Sequence, residues 1–200
     1  TSFCYRQDMT RLLISALVCT GCFLFFIWRH YGRSAAGLIF WVLYYPYVLL
    51  ELAWSEELLF FCVLGLFGGM AWMEDLYTRY FSAYWLLPFG LLLFWSVGLT
   101  HPGLRGFSLL DGLGFVYGIG GLVLWRQKKL GLADVLLLFG LAFGLGFERM
   151  QVCMAISLLT GFVLLGFSNE DIPFGSALMI GFVIAFAHGM ALYEKLAGCL

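Results

Sequence analysis

Residues 58–73 read LLFFCVLGLFGGMAWM, and Glu74 and Asp75 follow directly. Sixteen residues pass without a charge, and the run stops on two adjacent carboxylates. A helix needs about 20 apolar residues to span the hydrocarbon core, so this stretch reads as a membrane span that ends in acid. The rest of the chain is of the same kind. Of its 200 residues 62% are hydrophobic and 12% charged, against roughly 45–50% and 25% in soluble domains. A water-soluble fold of this size has too little interior to hide so much apolar surface, so lipid is the expected solvent. The net charge of −1 provides no basic field for nucleic acid. Partners are expected in or at the bilayer.

Working outward, charge, proline and glycine divide the chain into candidate spans at 12–28, 35–54, 58–73, 81–99, 107–125, 134–147, 151–167 and 174–193. The expected fold is all-α, a polytopic transmembrane helix bundle of about eight spans. The short connections argue for a single domain over 1–200, since exposed backbone is not tolerated in lipid. Gly114 with Gly118, and Gly140 with Gly144, are small residues four apart that suit close helix packing. Cys19 and Cys22 form a lone CxxC within an apolar run, which reads as helix packing rather than as a zinc site.

Eight crossings would put the connections at 29–33, 74–80, 126–133 and 168–173 on one face, with Arg29, Arg33, Arg79, Arg126, Lys128 and Lys129. The other face would carry Arg6, Arg11, Arg105, Arg149 and Lys195. The tight basic group at 126–129 favours the first face as cytoplasmic. Asp75 and Asp134 fall on that face and Asp111 on the other.

An acid inside or at the edge of a span costs about 2.5–3.5 kcal/mol at mid-membrane and is a functional candidate for that reason. Two such acids at one depth can share a proton, one acting as base and the other as acid. Each can equally cap a helix N-terminus or sit in the wetted headgroup layer. Glu74 reads as solvated at the interface, and His188 as an interhelical hydrogen-bond partner.

The segments Asp75-Leu76-Tyr77-Thr78-Arg79, Gly131-Leu132-Ala133-Asp134 and Ile172-Pro173-Phe174-Gly175 together resemble those of the type IV prepilin peptidases, bacterial enzymes that remove the leader from pilin-like precursors. The first is similar to that family's first-aspartate segment. The second resembles its GxGD motif, and the third its late PFG segment. The resemblance implies an aspartyl endopeptidase core at about 58–193, with Asp75 and Asp134 catalytic. It implies substrate-binding roles for Gly131, Pro173, Phe174 and Gly175. Glu170 and Asp171 share the face of Asp75 and Asp134 by parity and either attract a basic leader or form a solvated loop. No metal or organic cofactor would be needed. The partner would be a prepilin-like or pseudopilin precursor, cut at the cytoplasmic boundary of the inner membrane.

The chain also departs from the pattern. Ala133 stands where the family has glycine, and Leu136 where it often has lysine. Tyr80-Phe81-Ser82 replaces the usual Ile-Pro-Asn, and no clear N-terminal zinc or methyltransferase module is visible. The expected protein is a divergent active member. A small proton- or cation-coupled transporter using the same acids is the other reading that the residues leave open.

Overall fold

A computed structural model of the chain describes residues 2–32, 35–52, 57–78, 80–96, 111–167 and 174–198. These residues form α1 (Ser2–Tyr31), α2 (Ala35–Leu52), α3 (Leu58–Thr78), α4 (Ala83–Ser96), α5 (Phe115–Arg126), α6 (Leu132–Phe167) and α7 (Phe174–Ala197), with a 3-10 turn at Asp111–Gly114 before α5. No strand occurs among the described residues. Among the described residues, three helices are long and apolar enough to cross a membrane, at Leu58–Thr78, Leu132–Val163 and Phe174–Ala197.

The chain divides into two compact units, Thr1–Met73 and Glu74–Leu200. The first is cemented by aromatic rings set against glycine. Phe23, Phe40, Tyr44 and Tyr45 are buried. The Tyr44 hydroxyl donates to the Phe61 carbonyl at 2.9 Å and the Tyr45 hydroxyl to the Cys62 carbonyl at 3.2 Å, which satisfies two phenols that would otherwise be buried at a cost. Gly65 lies under the Tyr44 ring and Gly69 under the rings of Phe23 and Phe40, with no room for a Cβ at either. Gly65→Ala should therefore destabilise the protein by about 1–3 kcal/mol through overpacking, read as a lower Tm in detergent.

In the second unit α6 corrects the expected span count. The spans expected at 134–147 and 151–167 form one continuous helical element broken at Gly146, so the described residues hold seven α-helical elements, three of them long and apolar enough to cross a membrane, against about eight expected spans. Straight, its 36 residues would measure about 54 Å, well beyond a ~30 Å hydrocarbon core. It is not straight. Gly146 has φ 72° and ψ 179°, a conformation essentially reserved for glycine.

The contacts on either side give the direction of the break. Arg149 packs on Gly189, and Cys153 and Ser157 pack on Gly181, so residues 147–167 run antiparallel to α7. Asp134, at the head of the other arm, lies near Asp75, and Asp75 is bonded to Ser176 at the start of α7. Both ends of α6 therefore lie toward the same end of α7, and the chain turns back at Gly146.

The remaining helices pack on the first arm of α6 through glycine. Gly118 of α5 sits against Phe139 and Gly121 against Leu138, while Leu93 of α4 fits over Gly140 and Gly144. The rings of Phe94 and Phe143 stack at 4.6 Å. These small residues let the helices approach closely.

Candidate active site

Three helix ends meet in the second unit: the last turn of α3, the first turn of α6 and the first turn of α7. Asp75 lies three residues from the end of α3, Asp134 is the third residue of α6 and Ser176 the third of α7. A helix leaves its first four amides without intrahelical partners, and both N-terminal turns use carboxylates to satisfy one.

Asp75 is 4% exposed. Its Oδ2 accepts the Ser176 backbone N–H at 2.6 Å and the Ser176 hydroxyl at 2.7 Å. A buried carboxylate is tolerable where charge-assisted donors replace its water, and Ser176 supplies two donors from one residue.

Gly175 explains how α7 approaches so closely. A Cβ there would run into the Phe81 ring and lie 3.1 Å from Asp75 Oδ2. The glycine is thus required by its neighbours rather than by its own dihedrals, and the start of α7 rests on the α3–α4 connection.

That connection is itself tied down. Glu74 Oε2 accepts the Ser82 N–H at 2.6 Å, and Ser82 caps α4 by accepting the Tyr84 N–H on its Oγ at 3.1 Å. Thr78 bonds to the Glu74 carbonyl at 2.8 Å. Glu74 was expected to be solvated at the interface; it is half-buried there and also ties Ser82, before α4, to the end of α3.

Asp134 Oδ2 accepts the Gly131 N–H at 3.2 Å. The third helical residue reaching back to the residue before the helix is half of a capping box, so Asp134 does cap α6. It also faces Asp75 closely enough for the two carboxyls to interact electrostatically. Capping and pairing are compatible, because the helix N-terminus favours the negative charge that the pairing opposes. Ala133 has ordinary helical backbone, which accounts for alanine in place of glycine there.

The structure thus brings together Asp75, Asp134, Gly131 and Gly175, with Phe174 opening the helix that carries Gly175. Glu170, Asp171 and Pro173 lie outside the described residues. Asp111 opens the turn whose Gly114 packs against Ala142 and Phe147, about 12–20 Å along α6 from Asp134. Ser176 was not singled out from sequence, and Phe81 and Ser82 stood out there only as a departure from the family pattern. Ser176 follows the quoted Phe174-Gly175 directly, and a small hydroxyl residue in a first helical turn was the available signal.

Among the described residues, no three His, Cys, Asp or Glu side chains gather so as to hold a metal ion. Comparison with protein-family models, with curated proteins and with solved structures finds no match. The likeness to prepilin peptidases therefore rests on the three sequence segments alone.

Proposed function

We propose that this chain is a multi-pass, membrane-embedded aspartyl endopeptidase of the prepilin peptidase type, with Asp75 and Asp134 as its acid pair. The electrostatic interaction of these two carboxyls, held on separate helix ends, is the observation that carries the reading. Asp75 and Asp134 each also satisfy a first-turn amide, of α7 and of α6, and the reading rests on these two carboxyls standing close enough to interact.

In this reading one ionised aspartate takes a proton from water as the water oxygen adds to the scissile carbonyl carbon. The protonated partner gives its proton to the carbonyl oxygen. Collapse of the resulting gem-diol breaks the C–N bond, a proton passes to the departing nitrogen, and an acid and an amine remain. Protons shared in this way titrate as a pair rather than as two separate groups.

The substrate is a precursor whose basic leader meets an apolar helix, cut at the cytoplasmic boundary of the inner membrane. Both arms of α6 cross in this reading, which returns the end of its second arm to the side of Asp75. The exposed basic turn at 126–129 lies on that side and supports its cytoplasmic placement.

Orientation tests the substrate assignment. Cysteine placed at Gln127, which is exposed between α5 and α6, should react with a membrane-impermeant reagent only after the cells are opened, in a background lacking the native exposed Cys22. Labelling in intact cells would put the aspartates where no cytoplasmic leader reaches them.

A further inference from the structure

The turn joining α5 to α6 carries Arg126, Lys128 and Lys129, all exposed and with no ion pair among the described residues. Trp125 before it and Leu132 after it are 41% and 49% exposed, so the cations are bracketed by apolar surface. Tryptophan beside Lys and Arg is the pattern of a membrane–water interface.

The backbone of the turn adds an independent observation. The Lys129 N–H bonds to the Leu124 carbonyl at 2.9 Å and the Lys128 N–H to the Trp125 carbonyl at 2.8 Å. This pair of bonds is a Schellman closure, whose pivotal residue takes a left-handed conformation and is usually glycine. Here the pivot is Lys128 at φ 59°, and it has the only positive φ outside glycine among the described residues. A Cβ is disfavoured there, so the chain keeps a charge where glycine would relax the backbone. Neutralising the negative end of α5 does not require this, because Arg126 already stands in its last turn.

We propose that the turn at 126–129 is a docking site for anionic phospholipid headgroups. The headgroup phosphate supplies the charge that the three cations lack, and the acyl chains lie along Trp125 and Leu132. Since the turn runs directly into Gly131 and Asp134, a bound lipid would also hold the first turn of α6 at the membrane surface. The proposal does not depend on the peptidase reading.

The test is a titration of the full chain in mild detergent with phosphatidylglycerol, with phosphatidylcholine and inorganic phosphate in parallel arms, following Tm. Phosphatidylglycerol should raise Tm and the other two should not. The triple variant R126Q/K128G/K129Q should need more lipid for the same rise, by about fivefold per charge removed. K128G alone keeps the turn, so it should have a higher Tm without lipid and still lose its share of the lipid response. An equal rise with phosphatidylcholine, an equal rise with inorganic phosphate, or an unchanged midpoint in the triple variant would each overturn the assignment.

Discussion

Asp75→Asn and Asp134→Asn are each expected to lower cleavage of a prepilin-like precursor by roughly 10²–10⁴-fold, the range for loss of a positioned acid or base. Asparagine keeps an oxygen that can accept the Ser176 donors at position 75 and the Gly131 N–H at position 134. Both variants should therefore stay folded, with unchanged elution and helical content in detergent. Since the two groups act as one unit, the double variant should be little slower than either single one. Multiplicative losses would indicate two independent contributions instead of a shared proton. Asp111→Asn is the control and should retain substantial turnover, because its turn packs well along α6 from Asp134.

Gly175→Ala should produce the next largest effect, although it adds only one methyl group. That methyl meets the Phe81 ring on one side and Asp75 Oδ2 at 3.1 Å on the other. To admit it, either α7 must move away from Asp75 or Phe81 must leave its place. The expected cost is about 1–3 kcal/mol of stability. If α7 moves, the Ser176 donors leave Asp75, and displacement of a reacting group by about 1 Å costs of the order of 10²-fold in rate. Phe81→Ala in the Gly175→Ala background removes one of the two obstacles and should return part of the lost Tm. Wild-type stability and rate in Gly175→Ala would show that the approach of α7 to Asp75 is not needed.

Much of this arrangement was legible because acid is conspicuous in an apolar chain. Asp75 after a sixteen-residue run without charge, and Asp134 before Val135 to Phe139, could be picked out by the cost of putting a carboxylate there. What holds them was harder to see. Ser176 is an ordinary residue for a first helical turn, and its partner lies 101 positions away. Only the fold brings them together. The second part played by Glu74 was hidden for a similar reason: its bond to the Ser82 amide depends on a turn whose path the sequence does not specify.

The break in α6 shows a different kind of limit. Glu148 and Arg149 suggested a polar connection at 148–150, yet these residues are helical. Arg149 is buried, with its stem on Gly189 and its guanidinium donating to the Phe186 carbonyl at 3.5 Å. The direction changes two residues earlier, at Gly146. One glycine among twenty-five gives little warning of that role, because its dihedral angles are set by the packing of both arms.

The most direct test of the acid pair uses the purified chain, a precursor with a basic leader joined to an apolar helix, and water enriched in oxygen-18. Mass spectrometry of the products should reveal a single cut at the junction. One oxygen-18 atom should enter the new carboxyl of the leader fragment, and neither fragment should form with Asp134→Asn protein prepared in the same way. If the wild-type chain leaves the precursor intact, or if Asp134→Asn cuts it at the wild-type rate, Asp75 and Asp134 are not a hydrolytic pair.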